Sequence, residues 1–378
     1  MSLAEGAAQT QAAAHPITSR HPKGGNLVWR RFRRHRLAML GLILTGILAL
    51  VTLFSQFIAP FEPEGYNSNY TYAPPQRLHW IRSGDNGIVF GPYVHGLKVE
   101  IDYDSGRRRF AVDDTVVHPV GFFVQGDPYK LWGIIPTSRH LFGPLEKDAP
   151  MYLLGADRLG RDVLSRTLLG GRISLTIGLL GVMLSFVLGV LLGGMSGYFG
   201  GAIDNIIQRL IEFLQSIPSI PLWIGLAAAL PKDIPPAQVY FLITLILATI
   251  GWTGLARVVR GRFLQLKSED FVKAAKLDGC SPLRTMRKHM VPSFASHIIA
   301  ALTLAIPNMI LAETALSFLG IGLRPPAISW GVLLQEAQNI RSVATAPWLF
   351  VPGVAVVISV LSLNFLGDGL RDAADPRR

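Results

Sequence analysis

The sequence predicts an all-α polytopic membrane protein of six transmembrane helices, with a small β-rich extracytoplasmic insertion between helices 1 and 2. Half of the 378 residues are hydrophobic and only 16% are charged, and the mean hydropathy of +0.37 is too high for an ordinary soluble domain. Six apolar stretches are long enough to cross a hydrocarbon core of about 30 Å as helices. They are residues 37–59, 173–197, 213–230, 239–256, 298–318 and 346–367.

Basic residues indicate which ends of these spans face the cytoplasm. The stretch WRRFRRHR precedes the first span, and the loop 257–297 carries nine Lys or Arg against three acidic residues. Because positively charged flanks stay in the cytoplasm, we expect the N-terminal tail 1–36, this loop and the C-terminus to be cytoplasmic. These flanks account for the net charge of +11, so the charge gives no reason to expect nucleic-acid binding.

Residues 60–150 differ in character from the rest of the chain. They are polar and balanced in charge, and the predicted orientation places them outside the cytoplasm. The stretch LKVEIDYDSGRRRFAVDD alternates apolar and polar residues on both sides of the turn 104–106, which predicts a β-hairpin. The arginine triplet 107–109 either binds an acidic partner or marks a solvated strand end. We therefore expect a small β-rich domain over about 74–150.

Two spans carry residues that shape their helices. Gly189, Gly193 and Gly197 recur every four residues in the second span, which favours close packing of helix backbones. Pro218 and Pro221 should kink or interrupt the third span. Broken helices often line a cavity in a membrane bundle, so these prolines either line a pathway or only adjust packing.

The sequence lacks the patterns of an enzyme. It has no nucleophile elbow and no HExxH run, and its nearest approach to a phosphate-binding loop has Leu97 where lysine is needed. We expect no catalytic residue, no bound cofactor and no metal site, and the single Cys280 excludes an internal disulfide. Transport would then be driven by a partner subunit or an ion gradient. Glu313 is the one clear ionisable group within the spans, which is little for an ion-coupled carrier.

The loop DFVKAAKLDGCSPLRTMRKHMVP, 270–292, predicts two short helices. Ser268 is placed to cap the first helix, 271–278, and Gly279 stands where a left-handed backbone ends it. A second helix follows Ser281 and stops at Val291, before Pro292. The first helix has a face of small and apolar residues against which a partner can press.

This loop resembles the EAA loop of binding-protein-dependent ABC importer permeases. That pattern has a Glu and two alanines, then three residues, a glycine, and a proline thirteen residues later. Ala274, Ala275, Gly279 and Pro292 match it, and Lys273 replaces the usual glutamate. In the family the loop docks on a cytoplasmic ATPase subunit. The resemblance implies that the coupling residues are Phe271, Ala274, Ala275, Asp278, Gly279 and Pro292.

Three more stretches are similar to the dipeptide and oligopeptide permeases. They are LGADRLGRDVLSRTLLGGRISL, AETALSFLGIGLRPPAISWG and NFLGDGLRDAADPR, and they lie in the expected permease core, 151–378, with its five further spans. The segment before the second span forms either an outer gate or a salt-bridged turn, and Glu313 either makes a structural hydrogen bond or lines the pathway. The candidate gate or pathway residues are Asp157, Gly160, Arg161, Asp162, Glu313, Pro218 and Pro221.

The resemblance implies a permease subunit of an ATP-binding cassette importer in the bacterial inner membrane. The expected substrate is a peptide, with nickel or an oligosaccharide as alternatives. The implied partners are a homologous permease, two ATPase subunits that hold ATP and Mg, an extracytoplasmic solute-binding protein and membrane lipid. A membrane receptor with an extracytoplasmic sensor is the alternative class, although no cytoplasmic segment is long enough for a signalling domain. The family usually has a shorter loop after the first span, so it implies no role for the insertion.

Overall fold

The computed structural model describes residues 24–84, 87–101, 108–146, 149–231 and 233–374. Residues 1–23 of the predicted tail 1–36, and the predicted turn 104–106 with Arg107, lie outside the described residues. The helices are α1 (Gly24–Arg34), α2 (Arg36–Leu53), α3 (Ser55–Ile58), α4 (Val163–Phe199), α5 (Gly201–Ser216), α6 (Ser219–Ala228), α7 (Pro236–Leu266), α8 (Asp270–Leu277), α9 (Pro282–Thr285), α10 (Val291–Ser293), α11 (Ala295–Phe318), α12 (Trp330–Gln335), α13 (Ile340–Thr345) and α14 (Val351–Ala374). The strands are β1 (His79–Gly84), β2 (Gly87–Ile101), β3 (Arg108–Leu131) and β4 (Ile135–Pro144).

Within the described residues five helices are long and apolar enough to cross a membrane. They are α2, α4, α7, α11 and the stretch Pro347–Ala373 that contains α14. Each overlaps one of the predicted spans, and α4 begins ten residues before the predicted start at 173. The chain is therefore a multi-pass membrane protein. We call the end of the helical bundle that carries β1–β4 the sheet side, and the end that carries α8 the loop side.

The remaining predicted span is a pair of helices with a sharp bend. α5 and α6 meet at 87°, and together they make a sixth crossing if the pair is counted as one span. The break lies between Ser216 and Ser219, where Pro218 has no N–H to donate to the preceding turn. Pro221 follows in the first turn of α6. The prediction that prolines interrupt this span is confirmed.

Glycines bring α4 and α7 into backbone contact. A Cβ atom on Gly193 would lie 2.4 Å from the carbonyl oxygen of Ala256, and one on Gly197 would lie 2.6 Å from Cβ of Phe263. A Cβ atom on Gly189 would lie 2.9 Å from Cβ of Leu255. Since any side chain would push the helices apart, the four-residue spacing has the packing role that the sequence predicts.

The basic stretch before the first span is itself helical, which the sequence reading did not predict. Phe32 of α1 is buried against Ala38 and Ala373, so α1 is packed on the first and last long helices. The imidazole of His35 accepts a hydrogen bond from the N–H of Ala38 and caps α2. The arginines of α1 thus lie at the end of the bundle and outside its interior.

The chain between α3 and α4 forms a four-stranded antiparallel sheet in the order β1-β2-β3-β4. Its last strand is attached to the first span because the imidazole of His140 lies 2.6 Å from the carbonyl oxygen of Ala59. The two ends of the insertion are joined by Gln76 and Tyr152, which exchange hydrogen bonds of 2.8 and 2.6 Å. The sheet is therefore attached to the end of the first span, and the chain that enters the sheet is joined to the chain that leaves it.

We expect Gly193→Ala to destabilise the bundle. The added methyl group must displace the backbone of α7, and overpacking of this kind costs about 1–3 kcal/mol. The measurement is the thermal unfolding midpoint of the detergent-solubilised protein. Gly46→Ala in α2 is the matched control, because nothing lies within 4 Å of its Cβ position. Equal midpoints for the two variants would show that the α4–α7 contact does not limit stability.

Candidate functional site

The loop side presents α8 immediately after the last turn of α7. The cap residue of α8 is Glu269, and no side chain caps the helix. Ser268, the predicted cap, donates its hydroxyl to the carbonyl of Gln265 at 3.0 Å. That prediction is wrong because the end of α7 has carbonyls without helical partners, and the serine satisfies one of them. α8 therefore begins at Asp270, one residue earlier than predicted.

Gly279 ends α8 as the sequence predicts. Its φ is +74°, in the left-handed region that favours glycine. The N–H of Gly279 bonds to the carbonyl of Lys276 at 3.1 Å, and the N–H of Cys280 bonds to that of Ala275 at 3.0 Å. This pair of bonds is a Schellman motif. The exit from α8 is thus fixed by the backbone.

The second helix of the loop does not stop before Pro292. Met286–Met290 form a π turn, in which the N–H of Val291 bonds to the carbonyl of Met286, five residues back. Helical structure then continues through Pro292 to Ser293. A proline inside an α-helix clashes with the carbonyl four residues earlier, and a wider turn makes room for its ring. The predicted end at Val291 is therefore wrong by two residues.

One face of α8 is seated on its own chain. Val272 and Ala275 are buried, and Val272 belongs to a cluster that includes Phe263 and Met290. The ammonium of Lys276 lies 5.0 Å from the centre of the Tyr198 ring, at the end of α4. These contacts hold the helix against the bundle.

The other face of α8 is exposed. It carries Phe271, Ala274 and Asp278, as the sequence predicts, and also Leu277, whose side chain is 89% exposed. Ala275, which was expected to share this face, is only 5% exposed and points into the chain. The helix turns it inward because it lies three residues after Val272. The role of these residues in coupling stays a prediction.

On the sheet side, the carboxylate of Asp157 closes a turn before α4. Its Oδ1 accepts hydrogen bonds from the N–H groups of Leu159 and Arg161 at 2.8 and 3.0 Å, and its Oδ2 accepts one from Nε of Arg161 at 2.6 Å. Gly160 has φ +71°, and a Cβ there would lie 1.9 Å from the carbonyl oxygen of Asn67. The four predicted residues of this segment are thus a salt-bridged turn. A gate function for them stays a prediction.

Asp162 follows that turn and caps α4. Its Oδ2 accepts a hydrogen bond from the N–H of Ser165 at 2.7 Å. Its Oδ1 is buried and has no hydrogen-bond partner among the described residues. Burial raises the pKa of the Asp162 carboxyl to about 6, and the charge of Asp157 adds to the shift. The N-cap residue of α4, the longest helix, is therefore a buried carboxylate with few hydrogen bonds to stabilise its charge.

A polar cavity of about 700 Å³ adjoins the Asp157 turn. Arg161 and Arg166 line it together with Arg158 and Glu336. The N–H of Arg158 donates to Oε1 of Glu336 at 2.8 Å, which joins the turn to the segment after α12. Burial raises the pKa of the Glu336 carboxyl. Sequence reasoning missed Glu336, because nothing in its neighbourhood along the chain indicates a contact 178 residues away.

The remaining candidate residues lie apart from this turn. Glu313 is fully buried, and its carboxylate accepts hydrogen bonds from Ser174 and Ser317 at 3.2 and 2.9 Å. It does not line the cavity beside Asp157. Pro218 and Pro221 lie at the α5–α6 break. The structure therefore does not gather the seven candidate residues into one site.

We expect Asp162→Asn to stabilise the protein above pH 6. Between the ordinary pKa of 3.8 and the raised value of about 6, the unfolded chain loses its proton while the folded chain keeps it. The free energy of unfolding therefore falls as pH rises through this window, by about 3 kcal/mol in total. Asparagine keeps the cap and removes the charge, so the variant should lack this fall. The check is the unfolding midpoint as a function of pH.

Asp157→Asn provides the contrast for that measurement. It removes one partner of a buried ion pair and turns an amide group toward N–H donors, so we expect a loss of about 3–5 kcal/mol. If both variants shift the midpoint in the same direction, the two aspartates do not differ in the way their hydrogen bonds indicate.

Known proteins are similar to this chain over most of its length. Residues 189–378 match the family model described as binding-protein-dependent transport system inner membrane component, and residues 25–75 match the N-terminal TM domain of oligopeptide transport permease C. The dipeptide transport system permease protein DppC of Lactococcus lactis subsp. cremoris is 33% identical over 352 residues, which are 92% of this chain and 89% of that protein. The DppC protein of Bacillus subtilis is 39% identical over 59% of this chain and 68% of its own.

The oligopeptide transport system permease protein OppC of Haemophilus influenzae is 39% identical over 60% of this chain and 70% of its own. Among solved structures, the inward-facing MetNI methionine ABC transporter aligns with 54% of this chain and 94% of its own, with 19% identity and a TM-score of 0.42.

The resemblance that the EAA-like loop predicted is thereby confirmed. The first family model covers half of the chain, including α8 and Gly279, and the Lactococcus relative aligns with nearly all of it. The chain belongs to the family of binding-protein-dependent transport system inner membrane components.

Proposed function

We propose that this chain is the permease subunit of an ATP-binding cassette importer that takes up peptides. The observation that carries the proposal is α8, which is seated on its own bundle by Val272 and Ala275 and presents exposed apolar side chains on its outer face. A partner subunit can bind to this exposed face, and its movement would be passed to the bundle because the opposite face of α8 is packed against it. Peptides are favoured over nickel or an oligosaccharide because the relatives are named as dipeptide and oligopeptide permeases.

The proposed assembly follows from the absence of a phosphate-binding loop in the sequence. Two ATPase subunits hold ATP and Mg on the cytoplasmic side and dock on α8. A homologous permease forms the pathway together with this chain, and a solute-binding protein delivers peptide on the opposite side. The basic residues of α1 and of the α8 loop support a cytoplasmic position for the loop side. The sheet then faces the outside.

Docking would use the exposed apolar side chains of the loop. Phe271 and Leu277 lie on α8, and Leu283 follows in α9; all three are exposed. Burying apolar side chains stabilises a contact by about 25 cal/mol for each Å² removed from water. Because Gly279 fixes the angle between α8 and α9, closure of the ATPase pair would move both helices as one unit. The usual glutamate of the family pattern is Lys273 here, whose ammonium lies 3.4 Å from Asp270.

The Asp157 turn would act at the outer end of the pathway. Its internal bonds are numerous, whereas two hydrogen bonds link it to the chain after α12, one from the N–H of Arg158 to Glu336 and one from the indole N–H of Trp348 to the carbonyl oxygen of Ala156. Breaking these two bonds would separate the turn from that part of the chain and leave the turn itself intact. The bundle would then alternate between two states, biased by ATP on one side and by the loaded binding protein on the other.

Uptake into vesicles tests the proposed function. The chain would be reconstituted with its partner permease, ATPase subunits and binding protein, and supplied with labelled dipeptides and oligopeptides. We expect ATP-dependent accumulation of peptide. Accumulation of nickel or an oligosaccharide in place of peptide would show that the substrate is not a peptide. Uptake that follows an ion gradient without ATP would overturn the importer mechanism.

We expect Leu277→Asp to uncouple the transporter. The charge removes an apolar contact and places a carboxylate against the ATPase subunit, so uptake should fall at least tenfold, which corresponds to about 1.4 kcal/mol. The yield of membrane-inserted protein should not change, because Leu277 has few contacts within its own chain. Uptake and the co-purified amount of ATPase subunits are measured together.

Leu145→Asp is the control for that variant. Leu145 is also an exposed leucine, but it lies on the sheet side, so its substitution should leave ATPase co-purification unchanged. Normal uptake by Leu277→Asp, or an equal loss of ATPase subunits in both variants, would contradict docking at α8.

A further inference from the structure

The turn between β3 and β4 lies against the end of the first span. The indole N–H of Trp132 donates a hydrogen bond to the carbonyl oxygen of Leu53 at 2.8 Å, and the backbone N–H of Trp132 donates one to Oε1 of Gln56 at 3.0 Å. The ring of Trp132 also lies 5.6 Å from the ring of Phe54. The tip of this hairpin is therefore held at the level where α2 ends.

That level is a boundary of the hydrocarbon region. α2 has 18 residues and follows the basic helix α1, so at 1.5 Å per residue it is about 27 Å long, close to the thickness of the hydrocarbon core. If Arg36 marks one boundary, Leu53 marks the other. The carbonyl of Leu53 has no partner within α2, and the indole of Trp132 satisfies it.

Two aromatic residues near this contact, Phe123 in β3 and Trp132 in the turn after it, have positive φ angles. Phe123 has φ +54° and Trp132 has φ +55°. Bulky residues rarely adopt the left-handed region, and they persist there when the surrounding structure holds them. The ring of Phe123 lies 6.1 Å from the ring of Phe57, just past the end of α2. Both strained residues thus contact the same end of the first span.

The side chains around this tip are apolar and not covered by the described residues. Ile134 is 79% exposed, and Phe123, Trp132 and Ile135 are exposed as well. Lys130, at the start of the turn, is an exposed cation. An apolar cluster with a tryptophan and a lysine at a hydrocarbon boundary has the composition of a membrane interface, where indole rings and lysines meet the headgroups.

We propose that the β3–β4 turn, residues 130–135 together with Phe123, is a lipid-binding anchor that rests in the headgroup region of the leaflet on the sheet side. Ile134 and Ile135 reach the upper acyl chains, the indole of Trp132 lies at the boundary, and the ammonium of Lys130 meets lipid phosphates. The anchor fixes the sheet relative to the membrane surface. It does not depend on which substrate the transporter carries.

Site-directed spin labelling tests the anchor in the assembled transporter. Cys280→Ser removes the only cysteine of the chain, and Ile134→Cys then carries a nitroxide in vesicles of phosphatidylethanolamine and phosphatidylglycerol. Oxygen partitions into lipid, whereas a nickel chelate stays in water. We expect the ratio of oxygen to nickel accessibility at this site to be several-fold higher than at a water-exposed site.

Val112→Cys provides that water-exposed site. Val112 lies in β3, is 62% exposed, and is twenty residues from Trp132. Its neighbours Leu97 and Phe110 contact the segment of Tyr70 and Tyr152 near the Asp157 turn, away from the end of α2.

Every outcome decides the proposal. A high ratio at Ile134→Cys, reproduced at Ile135→Cys, supports the anchor. A ratio equal to that of Val112→Cys shows that the turn stands in water and overturns it. Low accessibility to both reagents shows that a protein partner covers the turn, which also overturns it.

Discussion

The sheet side of this protein depends on the hydrogen bonds that the carboxylate of Asp157 accepts. Two N–H groups and the guanidinium of Arg161 converge on its two oxygens, and bonds to an ionised acceptor are stronger than neutral ones. The turn that they close leads directly to Asp162, the cap of α4. The carbonyl of Asp157 also accepts the N–H of Tyr72, so the chain that enters the sheet is attached to the same residue. The carboxylate and the backbone carbonyl of one residue thus join the start of the longest helix to the chain that leads into the sheet.

The features that sequence reasoning predicted are those determined by near neighbours along the chain. Gly279 ends a helix because no other residue tolerates its backbone angle as well, and Pro218 breaks a span because it lacks an N–H. The glycine repeat of α4 identifies a contact face without naming the partner. The family, too, is recognised from such local patterns, because the EAA-like loop and the Asp157 segment are each continuous in sequence.

The predictions from the sequence are wrong or incomplete where a side chain's contacts depend on residues distant in sequence or on a neighbouring helix. Ser268 bonds to the helix before it, and Ala275 is buried because the bundle covers that side of α8. Pro292 continues a helix because a π turn forms ahead of it, which no propensity predicts. Glu336 meets Arg158 only through the fold. The positive φ angles of Phe123 and Trp132 could not be predicted from the sequence either, because each depends on contact with the end of the first span.

The length of α4 has a mechanical consequence. Its 37 residues make a rod of about 56 Å, well beyond the thickness of a bilayer. Tyr198 at one end touches Lys276 of α8, and Asp162 at the other end adjoins the Asp157 turn. The contacts of Gly189, Gly193 and Gly197 with α7 lie near the α8 end, so a tilt of α4 about them would have a short arm on that side and a long arm on the other. A tilt of about 5° would sweep the long arm through several ångströms, on the order of 4 Å, which exceeds the 2.8 Å hydrogen bond between Arg158 and Glu336.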